Sequence, residues 1–336
     1  MLSAATVAAQ PPSRRGRGRA TFRTDTAMVH DPVMAYENGV YYMYSTGMGV
    51  QVMTSTDRKT WTFHPQPALG RVPEWTHDSV PGFRNHVWAP DVLRYRDRWW
   101  IAYSCSTFGR NTSAIGIASS PTLDLTDSIH YNWTDHGCVV ASREHRDNWN
   151  AIDPALILDE AGQPWMAWGS FWDGIQLQRL DTSMHLDPTS QRRTIARRIA
   201  LRDTLSAEPN PTSQHAGRNA IEAPFIMRHG DYYYLMVSHD YCCRGAKSNY
   251  KVVVGRSRDI AGPYLDREGR DMAAGGGTLL IEGDKVDFEA AGHCAAYTFP
   301  DGDWFICHGY SVALEGQSIL IQRHIRWTDD GWMQLE

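Results

Sequence analysis

The sequence predicts an all-β protein, a five-bladed β-propeller, on three observations. A turn followed by an aromatic strand recurs five times, helical periodicity is absent, and no linker divides the chain. The copies are Asn38-Gly-Val-Tyr-Tyr-Met-Tyr, Asp97-Arg-Trp-Trp-Ile-Ala-Tyr, Gly162-Gln-Pro-Trp-Met-Ala-Trp, Gly230-Asp-Tyr-Tyr-Tyr-Leu-Met and Gly302-Asp-Trp-Phe-Ile-Cys-His. Turn residues followed by aromatic and β-branched runs are hairpin signals. Several copies lead into a second strand ending in a Ser-rich turn, as in Val50–Asp57, Ile115–Ser120 and Val252–Asp259. Residues 187–205 come nearest to a helical pattern and are expected to be loop plus strand. Two β-sandwiches would need a break in composition near the middle, and none is visible.

One propeller is therefore expected over residues 28–336. Residues 1–27 are expected to form a disordered or processed segment. Its Arg14–Arg19 run lies in Pro/Gly/Ala-rich sequence typical of a tail. Leu2–Ala9 resembles the remnant of a signal peptide but is short and lacks a positive flank. A secreted or periplasmic location is the expectation, without a clear signal peptide.

Composition excludes several functions. A net charge of -5 leaves no basic excess for a nucleic acid, and no apolar stretch is long enough for a transmembrane helix. The 13 Trp, 15 Tyr and 9 Phe exceed what a core needs and suit a sugar-binding cleft, where aromatic faces act as apolar platforms. The 6 Cys contain no Cys-x-x-Cys pair, which disfavours a zinc knuckle or thioredoxin site. Adjacent Cys242 and Cys243 are expected to be buried small residues beside a site, because neighbours do not easily meet disulfide geometry. Asn111-Thr-Ser and Asn132-Trp-Thr match a glycosylation sequon that often arises by chance.

Upstream of each aromatic pair stands a polar residue in a similar frame: His30-Asp31-Pro32, Ala89-Pro90-Asp91, Ile152-Asp153-Pro154, Glu222-Ala223-Pro224 and Gly292-His293. If each opens its blade's innermost strand, Asp31, Asp91, Asp153, Glu222 and His293 converge on the central axis. Asp-Pro by itself is turn punctuation, and Asp187-Pro188 is only that. Four carboxylates and a His in register with an independent repeat point instead to a site. Converging carboxylates suit glycosidic cleavage, which needs a proton donor and, opposite it, a base or nucleophile. A third carboxylate raises the donor's pKa. Metal binding alone fits less well, since no two members share the spacing of a ligand loop.

These residues, with Trp88-Ala-Pro-Asp91, Ser106-Thr-Phe108-Gly, Asn150-Ala-Ile-Asp153-Pro, Gly169-Ser-Phe-Trp-Asp-Gly174, Ile221-Glu222-Ala-Pro and Cys242-Cys-Arg-Gly245, resemble glycoside hydrolase family 43, and within it the arabinanases. The resemblance runs from about Met28 to the C-terminus. It implies an inverting endo-1,5-α-L-arabinanase acting on arabinan and arabino-oligosaccharides. Asp31 would be the general base, Glu222 the general acid, and Asp153 would raise and orient Glu222. It also implies that His293 contacts a mostly water-coordinated calcium ion. Where the family often has Gly-Pro-Gly-His, this chain has Ala290-Ala-Gly-His293. Inversion predicts carboxyl groups roughly 6.5–9.5 Å apart. Trp88, Phe108 and Trp172 are expected as platforms and Asn150, Ser170 and His239 as hydroxyl partners. The polar segment 200–220 is either substrate rim or solvated loop.

Rival readings are an exo-acting arabinofuranosidase or β-xylosidase on the same propeller, and a non-catalytic sugar-binding or scaffold propeller. The intact Asp31/Asp153/Glu222 set disfavours the latter. Fructan-cleaving propellers are disfavoured by His30 before Asp31 and Ala223 after Glu222. A monomer without nucleic-acid or membrane partners is expected.

Overall fold

Each aromatic copy forms the second strand of a sheet, flanked by a strand before it and strands after it. The computed structural model describes residues 20–199 and 219–336. Segment 200–218, proposed above as rim or loop, lies outside them. Blade one comprises Val33–Glu37, Val40–Ser45, Gln51–Ser55 and Thr60–His64, and blade two His86–Tyr95, Arg98–Cys105, Ser113–Ser120 and Thr134–Ser142. Blade three comprises Ala155–Leu158, Pro164–Trp168, Ile175–Arg179 and Arg193–Ala196. Blade four is built from Ile221–His229, Tyr232–His239, Lys251–Ser257 and Thr278–Glu282, and blade five from Phe288–Phe299, Gly302–Ser311, Gln317–Trp327 and Met333–Leu335. Strands pair antiparallel in chain order within each blade. Successive innermost strands touch all the way round, so the five blades close into a ring. Among the described residues the one α-helix is Trp75–Ser79.

The expected boundary at residue 28 falls too late. Thr21–Arg23 adds a strand to the outer edge of blade one, pairing Phe22 with Trp61. Ala27–Val29 then bonds to blade five, with Leu320 N–H donating to Ala27 O and Val29 N–H to Ser318 O. Residues 21–29 thus join the first blade to the last and cover the outer edge of Thr60–His64. Faces of neighbouring blades bury large aromatics between them, among them Trp61, Trp168, Tyr44, Tyr103, Tyr234 and Phe305.

A five-fold irregularity sets the central channel. Asp31, Ala89, Asp153, Ala223 and His293 have φ of 55°, 42°, 57°, 53° and 52°. The left-handed region costs a residue with a side chain roughly 1–2 kcal/mol, so each hinge must be held from outside. Asp31 N–H donates to His308 Nδ1 at 3.1 Å, Ala89 N–H to Thr46 Oγ1 at 2.8 Å, Asp153 N–H to Ser104 Oγ at 3.0 Å and His293 N–H to Ser238 Oγ at 2.9 Å. Each acceptor belongs to the preceding blade and stands at the same offset from the start of that blade's second strand. Ser170 holds this position in blade three, yet the Ala223 N–H it would receive goes to Asp153 Oδ2 at 3.1 Å. Ser170 is thereby released to donate to Glu222 Oε2 at 2.8 Å.

This frame corrects the placement of Asp91. The hinge of blade two is Ala89, and Asp91 stands two residues further along the same strand. There Asp91 accepts N–H bonds from Val92 (2.8 Å) and Leu156 (2.6 Å), tying blade two to blade three. It is a structural carboxylate. Asn111 is also structural: fully buried, it donates to Asp147 O and Trp149 O, which removes its sequon from consideration.

Ser104→Ala should leave the buried Asp153 N–H unpaired and cost about 1–3 kcal/mol. Denaturant unfolding checks this; a midpoint equal to wild type would show that the hinge holds itself.

Candidate active site

The hinges bring Asp31, Asp153, Glu222 and His293 together, each no more than 9% exposed. Asp31 is the most heavily bonded. Its Oδ1 lies 2.9 Å from His30 Nδ1 and 3.0 Å from His293 Nδ1, while Oδ2 accepts from Thr46 Oγ1. Burial alone would raise its pKa, but the charge and hydrogen bonds of His30 and His293 outweigh it and hold the carboxyl well below its ordinary value. Asp31 is therefore an anion. Burial likewise disfavours a charged His293, yet Asp31, then Asp153 and Glu222, push it up to about 9.

Glu222 occupies the opposite condition. Tyr250 donates its hydroxyl to Oε1 at 2.8 Å and Ser170 to Oε2 at 2.8 Å. Burial raises its pKa, the two hydrogen bonds and His293 work against that, and Asp31 adds to the rise. Asp153 is pushed up to about 8, first by burial and then by Glu222 and Asp31, with His293 opposing. Burial is the largest cause of the Glu222 rise, and the like charges of Glu222 and Asp153 act on each other as neighbours. Asp153 also reaches its neighbour through the backbone: its Oδ2 receives the N–H of Ala223, the residue after Glu222.

The structure treats the predicted substrate contacts unequally. Phe108 is 76% exposed, an apolar face presented to water on the Ser106–Asn111 loop. Trp88 is half-buried and donates its Nε1–H to His86 Nδ1 at 3.0 Å; His86 in turn senses the charge of Asp31. Ser170 is committed to Glu222. Asn150 is buried and ties down the neighbouring loop through Arg110 O at 3.4 Å. Trp172 is buried, and its neighbour Phe171 is the more accessible ring, facing Tyr241 at 6.0 Å. His239 is buried, and since side chains alternate along a strand it faces away from Ser238, the cap of His293. Burial lowers its pKa to about 3, leaving it neutral.

Sequence reasoning missed Thr46, Tyr250, His308 and Tyr310. His308 was within reach, because it stands where the repeat has Thr46, Ser104, Ser170 and Ser238. Tyr250 carried no local signal. It reaches Glu222 because its ring lies against Gly292, where any Cβ would overlap it. His30, Asp31 and His308 are close enough to hold an ion. His308 Nδ1, however, accepts the Asp31 N–H, so that lone pair is already used.

A second correction concerns the cysteines. Cys242 and Cys243 form a disulfide, with Cα atoms 3.8 Å apart, and Cys243 is exposed rather than buried. Cys105, Cys138, Cys294 and Cys307 are free thiols.

A closed ring of five blades, with buried carboxyls biased in opposite directions where its innermost strands meet, has the acid and base groups that glycosidic cleavage needs. Residues 26–333 match the profile described as glycosyl hydrolases family 43, and the chain belongs to that family. It is 42% identical over 311 residues to an extracellular exo-α-(1→5)-L-arabinofuranosidase of Cellvibrio japonicus, covering 92% of this chain and 86% of that protein. To an extracellular endo-α-(1→5)-L-arabinanase of Bacillus subtilis it is 38% identical over 310 residues, covering 91% and 87%. Among solved structures, an exo-1,5-α-L-arabinanase from a bovine ruminal metagenomic library superposes with a TM-score of 0.84 at 50% identity, covering 92% of this chain and 97% of that one. A Cellvibrio cellulosa α-L-arabinanase complexed with arabinohexaose gives 0.85 at 41% identity, covering 92% and 96%.

Tyr250→Phe removes a hydrogen bond that favours the Glu222 anion, so the Glu222 pKa should rise. Carbon-13 NMR titration of the labelled carboxyl measures it; an unchanged or lower value would contradict the geometry.

Proposed function

We propose that this protein hydrolyses α-1,5-linked L-arabinofuranosyl bonds in arabinan with inversion. The observation that carries this is the division of labour between two buried carboxyls: Asp31 is held anionic by two histidines, and Glu222 is biased toward its protonated form. Asp31 takes a proton from water as that oxygen attacks the anomeric carbon. Glu222 gives its proton to the departing sugar oxygen, and both groups then exchange protons with solvent to reset. Asp153 anchors the backbone that aims Glu222. Phe108, Trp88 and Phe171 supply ring faces for furanose units.

Exo action is favoured over the endo action expected from sequence, because the two relatives at 42% and 50% identity are named exo-acting. Endo action is the second reading, supported by the 38% identical endo-arabinanase. Both curated relatives are named extracellular, which supports work outside the cytoplasm.

A calcium ion would meet one protein atom, Nε2 of His293, and would have to displace the proton that the pKa of about 9 keeps on that ring. His293 donates from Nδ1 to Asp31, the arrangement usual for a metal-bound imidazole, and this leaves Nε2 for an ion whose other positions water would fill. When bound, the ion supplies positive charge beside the carboxylates.

Product analysis on linear arabinan tests the reaction and its mode: a single short product supports exo action, a ladder of oligosaccharides supports endo. Glu222→Ala should lose roughly two to four orders of magnitude on arabinan but far less on an activated aryl arabinoside, whose leaving group needs no proton. Asp31→Ala should be inactive on both. Activity of Asp31→Ala on the aryl substrate would reverse the assignments, and near-normal turnover by both variants on arabinan would end the proposal.

Excess chelator should lower the melting temperature or turnover, and added calcium should restore it. Indifference to chelation would reduce His293 to a hydrogen-bonding residue.

A further inference from the structure

Asp31 is oriented from further away than its immediate partners. Its Oδ1 is an acceptor, so His30 donates from Nδ1 at 2.9 Å. The other ring nitrogen of His30, Nε2, faces the hydroxyl of Tyr310 3.0 Å away. The Tyr310 oxygen in turn accepts the backbone N–H of Cys243 at 2.7 Å. Stacking on His308 at 3.9 Å fixes the plane of the His30 ring. The contacts therefore form one continuous chain from the Cys243 amide through Tyr310 and His30 to the carboxylate.

What aims that first amide is the bond between the adjacent cysteines. Cys243 has a φ of 62°, left-handed and unfavourable for a residue with a side chain. The small ring closed with Cys242 ties the two residues together. Cys242 itself packs on Tyr250, Ala290 and Tyr310, so the ring is seated against the tyrosines that serve both Asp31 and Glu222. The surrounding loop has its own ties. Tyr241 N–H donates to Asn249 Oδ1, Asn249 N–H to Tyr241 O and Arg244 N–H to Ser248 Oγ, each at 3.1 Å, and the Arg244 guanidinium lies 4.0 Å from the Tyr241 ring centroid. Opening the disulfide thus frees Cys243 without removing what holds the loop.

We propose that the Cys242–Cys243 disulfide is a positioning element for Asp31, acting through Tyr310 and His30, so that turnover depends on its oxidation. This rests on Asp31 being the general base. A dithiol delivers the two electrons and two protons: one thiolate attacks a cysteine sulfur, the mixed disulfide is displaced by the second thiol, and the reagent leaves as a cyclic disulfide with two cysteine thiols in place of the S–S bond. Cys243 is exposed to such a reagent, and no other disulfide exists among the described residues.

The test compares kcat and KM on arabinan for the oxidised enzyme, the enzyme treated with dithiothreitol, and the reoxidised enzyme, with thiols counted at each stage. Tyr310→Phe and Cys242→Ser/Cys243→Ser are measured alongside. Reduction should lower kcat about 10-fold or more with KM changed less than about twofold, as expected when a reacting group is misplaced. Reoxidation should restore kcat. Tyr310→Phe should show a similar loss and no further response to reduction, because it breaks the same chain. Unchanged kcat with two new thiols counted would overturn the proposal. So would a rise in KM alone, which would make the disulfide a sugar-contacting wall, or a loss tracked by a fallen melting temperature. Asp31→Asn separates the two ideas. If it stays active the function itself fails, whereas an inactive Asp31→Asn with redox-indifferent turnover sinks only this inference.

Discussion

The propeller depends on one repeated interaction: a left-handed residue in or just before each innermost strand, with its N–H satisfied by a side chain of the blade before. A buried backbone N–H without a partner is expensive, as is a left-handed residue bearing a side chain, so neither is stable alone. Together they lock each blade to its neighbour. The same bond turns the hinge residue's side chain toward the axis, where Asp31, Asp153 and His293 meet. Stability and site geometry thus come from the same set of contacts.

The one break in the pattern coincides with the chemistry. In blade four the hinge N–H is capped by Asp153 instead of Ser170, and the freed serine holds Glu222, which stands one residue before its hinge. Blade five supplies an imidazole, His308, where the others supply a hydroxyl, and this brings an aromatic surface under His30. Substitutions of the repeat at two places convert a symmetric support into an asymmetric site.

Electrostatics then separates groups that share one cavity. All three acids are buried, and burial pushes every carboxyl toward its neutral form. Only Asp31 has two imidazoles on one oxygen, and it alone is driven to the anion. Glu222 receives hydroxyl hydrogen bonds, too weak to reverse the effect of burial. A low pKa guarantees Asp31 its charge while making it a weaker base, so its orientation carries more of the catalytic burden.

Much was legible in the sequence because it is written in local, periodic signals. Five aromatic hairpins define five blades, and Asp31, Asp153, Glu222 and His293 stand in register with them. Asp91 was misplaced because the hinge of its blade is Ala89, a residue with no polar side chain to mark it. Residue type does not say whether Trp172 and His239 face a cleft or a neighbouring blade, because alternation along the strand and packing settle that. The Cys242–Cys243 bond depends on a left-handed turn that no spacing rule indicates. The sequence by itself determined the blades and the acids they carry, since both follow from short-range periodicity. Only the tertiary structure decided which acid is held as an anion, which is pushed toward its neutral form, and which side chains hold them, because those properties arise from buried groups far apart in the chain that meet where the blades converge.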